Sequence, residues 1–400
     1  MGNLHVALEI GTTRTVLAIA EADVGKRLKI TCHEEIPSSG VRKSQILNIQ
    51  DATQSILAVL RKIEKAQSAT GDKVEIRNAY LVVSGQHVLA SHAEGQAIVE
   101  GSRVGDDAIR EAENSAHHIP IPKGRELLDI ADQDFMLDNR GGLTDPKGMS
   151  GGILRLNTLQ IHAEANRIED AKNAADGAHL EINEPVFAAT CAADAVLEDY
   201  EKRNGALVLD LGGGSTGYAA YANGYLVAAG VIGVGGDHIT NDIAHAFQTT
   251  NAQSEELKLS TASAELSSYS GDEARVRIAG SSSLMDNRTI SRRALDTVVN
   301  ARVREIFSIV REKLDEQDLL NHLHTGCILT GGGASLREID TLAERELGMS
   351  VRRGRPIHVD GLDGVAAPWS YAAVAGALLY ASRNDDDKSL LGGLFGRLFR

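Results

Sequence analysis

At 400 residues, with 42% hydrophobic but only 4% aromatic residues, the chain is long for one core and is expected to build two or more domains from aliphatic side chains and alanine. A net charge of −14, with no Lys/Arg-rich face interleaved with aromatics, argues against a nucleic-acid binder. Cys32, Cys191 and Cys327 are scattered and form no C-x-x-C, so neither a disulfide framework nor a zinc site is indicated, and a reducing compartment fits.

The opening residues, MGNLHVALEI, lack a basic segment followed by a long apolar run, so no secretory signal is expected. No window reaches the eighteen or so apolar residues that span a bilayer, and membrane contact is expected to be peripheral. The segment Val6 to Glu21 reads as a hairpin: an apolar strand with the carboxylate Glu9, a tip at Gly11, Thr12 and Thr13, and a returning strand from Val16 to Ala20. Arg27 to Glu34 alternates as a strand does, and Pro37 to Gly40 break it. Asp51 to Gln67 carries Ile56, Leu57, Leu60 and Ile63 at helical spacing, which predicts an amphipathic helix on a sheet. Ala79 to Val83 reads as a buried strand.

Between Ser84 and Ala165 the texture changes. An alternating strand near His87 to Val99, a helix from Asp106 to His118, a break at Pro120 to Gly124, a glycine-rich loop NRGGLTDPKGMSGG and a closing strand from Leu156 to Glu164 predict a small inserted α/β domain. The main pattern resumes with a helix over Ile168 to Ala178 and a break at Asn183 and Pro185. Phe187 to Leu197 is a helix of small residues, which lets another helix approach closely.

The stretch LVLDLGGGSTGYAAY, Leu207 to Tyr221, repeats the first design: apolar strand, Asp210, three glycines, then Ser215 and Thr216 before a returning strand. Glycines remove every Cβ there, so backbone N–H groups can close around an anion. One such turn could serve strand connection alone. Two carboxylate-tipped hairpins and a third glycine cluster, ILTGGGASL at Ile328 to Leu336, point instead to two related halves facing one phosphate chain. Asp237 to Phe247 and Ala252 to Leu259 read as helices, Ala274 to Ala279 as a strand, and Gly280 to Asn287 as a loop. Leu295, Val299, Val303, Ile306, Val310 and Leu314 mark one face of a long helix. Tyr371 to Ala381 is a second helix of small residues.

The chain closes on SLLGGLFGRLFR after a polar spacer. As a helix this stretch places Leu390, Leu391, Leu394, Phe395, Leu398 and Phe399 on one stripe, while Arg397 and Arg400 can meet anionic headgroups. One short helix anchors weakly, so several acting together are expected.

This order of motifs resembles the actin, sugar-kinase and DnaK-type chaperone superfamily. Within it, nearly the whole chain most resembles the FtsA family, bacterial division proteins that tie the FtsZ ring to the membrane. The marks are the insertion at Ser84 to Ala165 with YLVVSGQHV and GMSGG, the segment GDHITNDIAHAF, and the C-terminal stretch. The resemblance implies an α/β fold: a two-lobed actin-like ATPase of duplicated ribonuclease-H-like domains, with an inserted small α/β domain and a C-terminal amphipathic helix. Its first lobe is expected over 1–83, 166–203 and 371–383, with the insert at 84–165. The second lobe is expected over 204–228 and 323–370 with a subdomain at 229–322, then a linker at 384–388 and the membrane helix at 389–400.

Carried over residue by residue, Gly11, Thr12, Thr13 and Arg14 are expected around the β- and γ-phosphates, faced by Gly212, Gly213, Gly214, Ser215 and Thr216 from the other lobe. Glu9 and Asp210 are expected to hold Mg²⁺ through water. Gly235 and Gly236 are expected near the phosphates or ribose. Glu255 and Lys258, on one helix face, are expected to border the nucleoside unless they are a solvated ion pair, with Gly331, Gly332, Gly333 and Ala334 under the adenine. Glu9 stands where Asp is usual, and Arg14 where Lys is frequent, which makes fast hydrolysis less secure than binding. Glu184 matches a water-orienting carboxylate at the start of the first connecting helix, or else simply a favourable helix N-terminal Glu-Pro. Arg288, Arg292 and Arg293 fall in the segment that receives the FtsZ C-terminal peptide, or form a solvated helix start.

The implied cofactors are ATP and Mg²⁺. The implied partners are the FtsZ C-terminal peptide, further copies in filaments, anionic lipid, and other division proteins through 84–165. The implied location is the inner face of the cell membrane at the division site. Two alternatives stand beside this reading. A small-molecule kinase of the same superfamily needs a catalytic Asp that no motif marks; a pilus-assembly or chaperone-type ATPase does not need the C-terminal stretch.

Overall fold

The computed structural model describes residues 3–22, 27–70, 75–278 and 288–384. In chain order, β1 (Asn3–Ile10), β2 (Arg14–Ala22) and β3 (Leu28–Pro37) form a meander, followed by a small hairpin of β4 (Val41–Arg42) and β5 (Gln45–Ile46). Helix α1 (Ile49–Thr70) buries Ala52, Ile56, Val59 and Ile63, one per turn, and leads to β6 (Asn78–Val83). The insertion holds β7 (Val88–Ile98), α2 (Asp106–His117), β8 (Arg125–Leu137), β9 (Arg140–Leu143) and β10 (Ile153–Glu164). Then come α3 (Ala165–Asp176), β11 (Glu181–Phe187), α4 (Ala188–Val196) and α5 (Asp199–Asn204). A second meander follows: β12 (Ala206–Leu211), β13 (Thr216–Ala222) and β14 (Tyr225–Ile232). The remaining elements are α6 (Gly236–Phe247), α7 (Asn251–Ser260), β15 (Arg275–Ile278), β16 (Arg288–Ser291), α8 (Arg292–Asp315), β17 (Gly326–Thr330), α9 (Ile339–Leu347), β18 (Val351–Arg353), β19 (Val359–Asp360) and α10 (372–384).

Two sheets share one topology. The first runs β11-β6-β1-β2-β3-β19 and the second β14-β13-β12-β17-β18. In each, an antiparallel meander is extended by parallel strands beside its first member: β6 and β11 beside β1, β17 and β18 beside β12. The correspondence of β1 with β12 and β2 with β13 is a fold-level duplication. Both are covered by apolar cores, one around the first sheet with α1, α4 and α10, the other around α6, α8 and α9.

The two helices of small residues meet at the backbone. All but Asp194 of α4 is buried, and a Cβ on Gly376 of α10 would lie 1.7 Å from the Cys191 carbonyl oxygen. Not even an alanine has room at position 376.

The insertion is a four-stranded sheet, β7-β10-β8-β9, with α2 across one face. Its longest strand, β8, lies between the expected break and the expected glycine-rich loop, where the sequence predicts no element. The reason is a register shift against β10 between Leu156 and Thr158. Leu128 and Leu137 are both buried although their positions differ in parity, because Leu128 joins the core of the first lobe and Leu137 that of the insertion, and the shifted register further erases simple alternation. The insertion also reaches the second lobe, where the Gln133 side-chain amide donates to the Leu226 carbonyl oxygen at 2.7 Å.

Among the described residues no helix is long and apolar enough to cross a membrane. The membrane stretch expected at 389–400, with Leu390, Leu391, Leu394, Phe395, Arg397, Leu398, Phe399 and Arg400, lies outside the described residues, as does the loop expected at Gly280 to Asn287.

Candidate phosphate-binding cleft

The two hairpin tips have the same local geometry. The Gly11 N–H donates to the Arg14 carbonyl oxygen and the Gly212 N–H to that of Ser215, each at 3.0 Å. Strand pairing closes equivalently below them, at Ile10 with Thr15 and at Leu211 with Thr216. Glu9 and Asp210 therefore occupy the same place in the two halves.

The tips touch. A Cβ on Gly213 would lie 2.1 Å from the Thr13 hydroxyl oxygen, and one on Gly214 would lie 2.4 Å from that of Thr12. Ser44, beyond the β4 strand, completes the contact with its hydroxyl 2.9 Å from that of Ser215. The second tip is braced from behind, since the Gly236 and Asp237 N–H groups donate to the carbonyl oxygens of Gly212 and Gly213 at 2.9 and 2.8 Å.

A cavity of about 400 Å³ opens beside the tips. Glu9, Gly11, Thr12, Thr13, Arg14, Asp210, Gly212, Gly213, Ser215, Gly236, Glu255, Lys258, Gly331, Gly332 and Gly333 all line it. It also collects residues that the sequence does not mark as site residues: Glu35, Ser44, Ser84 and Ser370 on the polar side, Ile239, Leu259 and Leu336 on the apolar side. The only advance sign of Glu35 is the pair Glu34-Glu35 at the end of an alternating strand. Gly214, Thr216, Gly235 and Ala334 do not line the cavity. Gly214 and Gly235 provide close backbone contacts at the second tip, the Thr216 hydroxyl donates to the Val234 carbonyl oxygen at 2.8 Å, and Ala334 is fully buried.

The electrostatics single out the paired carboxylates. Burial pushes the Glu9 carboxyl up to about 7 against the pull of Arg14, with Asp210 adding to the rise. Burial likewise pushes Asp210 up to about 6, opposed by Arg14 and a hydrogen bond from Thr330. Two desolvated carboxyls facing one cavity disfavour their own ionisation, and a divalent cation relieves both. Gly331, at φ +78°, passes so near that a Cβ would lie 2.7 Å from an Asp210 carboxylate oxygen, so only glycine suits this position.

Arg14 does not point free into the cleft. Its guanidinium donates to Glu35 and to the Ser370 carbonyl oxygen, and lies 5.0 Å from the centre of the Tyr371 ring. Lys258 is also engaged, with Glu255 at 2.7 Å, the Thr240 hydroxyl at 2.9 Å and the Gly236 carbonyl oxygen at 3.2 Å. These contacts fix α7 on α6 along the rim.

The family model described as "Cell division protein FtsA" matches residues 207–376, and that of the "SHS2 domain inserted in FTSA" matches residues 85–162. The cell division protein FtsA of Pseudomonas aeruginosa is 30% identical over 388 residues, covering 96% of this chain and 91% of that one. The chain belongs to the FtsA family. The FtsA of Bacillus subtilis is 28% identical over 384 residues, covering 95% of this chain and 84% of the relative. The fold is that of actin-like proteins. A PilM–PilN type IV pilus biogenesis complex matches 94% of this chain and 98% of its own with a TM-score of 0.63 and 17% identity. MreB5 of Spiroplasma citri bound to ADP matches 97% and 98% with a TM-score of 0.57 and 13% identity. At such identities the likeness concerns architecture alone.

Three of the residues expected at functional places, Glu184, Arg288 and Arg292, stand elsewhere or are otherwise occupied. Glu184 is not at a helix start: it lies within β11, helix α4 begins only at Ala188, and its carboxylate accepts a hydrogen bond from the Tyr380 hydroxyl at 3.0 Å. It does not line the cavity. Of the basic trio, Arg292 stacks on Tyr269 with 4.5 Å to the ring centre, and Arg288 donates to carbonyl oxygens at the end of α6. Arg293 is exposed.

Proposed function

We propose that this cell-division protein binds ATP with Mg²⁺ between its two hairpin tips, assembles into filaments in that state, and tethers the FtsZ ring to the inner face of the cell membrane. The observation that carries the reading is the duplicated tip. Two equivalent turns abut, and each sets one destabilised carboxylate, Glu9 or Asp210, toward a single cavity. Glu9 and Asp210 would hold the hydrated cation, which supplies charge neutralisation for the phosphates. Gly11 to Thr13 together with Gly212, Gly213 and Ser215 would line the phosphates, while Ile239, Leu259 and Leu336 offer an apolar wall for the base above the glycine shelf at 331–333.

The account favours a conformational switch over rapid turnover. Glu184 stands outside the cleft, and Arg14 is already bound by Glu35 and Ser370. Arg288 and Arg293 are the exposed members of the basic trio proposed to meet an FtsZ tail peptide. The stretch at 389–400 would supply the membrane contact, multiplied by assembly.

Co-sedimentation with anionic liposomes, run with ATP and with ADP for the full chain and for a chain ending before Ser389, tests this function. Truncation should abolish pelleting and leave nucleotide binding unchanged; pelleting that survives truncation contradicts the membrane assignment.

A further inference from the structure

Next to the cleft lies a second, smaller cavity of about 40 Å³. Ile10, Val82, Ser44 and Ser84 wall both spaces, while His87 and Arg167 belong to the smaller one alone. Its volume is about three times the roughly 10–15 Å³ that one water needs.

Two of its polar atoms have no hydrogen-bond partner. His87 is only 7% exposed, and its Nδ1 is unpaired. Arg167 Nε is buried and makes no hydrogen bond, the nearest carboxylate oxygen, on Glu164, being 3.5 Å away. Buried polar atoms ordinarily find partners, so two orphans in one cavity wall call for an occupant.

The chemistry of the wall selects that occupant. Arg167 Nε can only donate, and the Ser44 and Ser84 hydroxyls can donate as well. Burial, opposed by Glu164 and aided by Arg167 and Arg125, lowers the His87 pKa to about 4. The ring is therefore neutral, and with its proton on Nδ1 it becomes another donor. Two guanidinium groups against one carboxylate leave a positive balance around it. A cation would require several acceptor oxygens, whereas convergent donors with surplus positive charge suit an oxyanion.

We propose that this cavity is a second anion site and that it binds inorganic phosphate. The binding stands on the cavity's own residues; only the source of the phosphate, release from ATP next door, rests on the nucleotide reading of the main cleft. Occupancy would reach the tips directly, since the Ser44 and Ser84 hydroxyls lie 2.9 and 3.4 Å from that of Ser215. It would also brace the base of the insertion, because His87 immediately precedes β7 and Arg167 is in α3, just after β10. A retained phosphate then holds both crossings of the insertion against the nucleotide tips after hydrolysis.

Equilibrium dialysis of the full chain with radiolabelled inorganic phosphate, with and without saturating ADP, tests the site. One saturable site that persists under ADP and is competed by sulfate is expected. His87→Leu and Arg167→Met should each weaken it at least tenfold while ADP affinity, which reports folding, stays within twofold. His87→Gln, which can still donate, should restore most of the binding. An ADP-loaded protein without saturable phosphate, its cavity filled by water only, overturns the proposal, as does unchanged affinity in both variants. Failure of ADP itself to bind would strike the nucleotide reading instead, and the ADP-free titration would then decide the phosphate site alone.

Discussion

The guanidinium of Arg14, on the first tip, is paired with Glu35 of the neighbouring β3 strand, and the Tyr371 hydroxyl donates to the same carboxylate at 3.0 Å. Ser370 and Tyr371 lead directly into α10, so one cleft-facing arginine joins the phosphate tip to the last helix described. A triphosphate entering the cleft would compete with Glu35 for this cation. Glu35→Gln removes a negative charge from the cavity wall and frees Arg14. ATP affinity should rise about fivefold, or ~1 kcal/mol for a partly exposed pair, as read by fluorescence titration with a labelled nucleotide. Unchanged affinity would mean that Arg14 never meets the phosphates.

Contact between the tips depends on Gly213 and Gly214. Alanine at either position drives a Cβ into a threonine hydroxyl of the opposite tip. Thermal unfolding should show a loss of about 1–3 kcal/mol, the usual scale for overpacking, together with weakened nucleotide binding. Gly332→Ala serves as the control: nothing lies within 4 Å of its Cβ position, and stability should hold.

The paired carboxyls make stability fall with rising pH. Glu9 is raised from 4.5 to about 7 and Asp210 from 3.8 to about 6, so the folded chain holds these protons more tightly than the unfolded chain. Their effect favours folding most at low pH, declines from about pH 4 to about pH 7, and then levels off. It amounts to on the order of 3 kcal/mol for each carboxyl. Asp210→Asn should flatten this part of the profile in thermal melts without nucleotide. Binding of Mg²⁺ with ADP near pH 6 should release protons, which calorimetry in buffers of different ionisation enthalpy would detect.

Much of this architecture is legible in the chain. Val6 to Glu21 and Leu207 to Tyr221 announce themselves because strand, carboxylate and glycine tip are contiguous, and α8 shows its buried face residue by residue. The β8 strand escapes because its bulge breaks the alternation, and β17 is hidden behind its own glycine cluster. Glu35, Ser44, Ser84 and Ser370 are invisible as site residues for a different reason: they reach the cleft from segments far apart in sequence, and only strand order brings them together. Arg14 illustrates the limit of motif reasoning. Its place on the first tip follows from the hairpin, but its engagement by Glu35 and Ser370 is a tertiary fact.

The central claim is that one cation-dependent nucleotide site, formed by Glu9 and Asp210 between the tips, controls assembly on the membrane. Negative-stain imaging of Asp210→Ala on anionic liposomes with Mg²⁺ and ATP tests it most directly, beside the unaltered chain. The unaltered chain should form filaments on the liposome surface, and the variant should bind the liposomes without forming any. Filaments of Asp210→Ala that appear on ATP addition as they do for the unaltered chain would contradict the account.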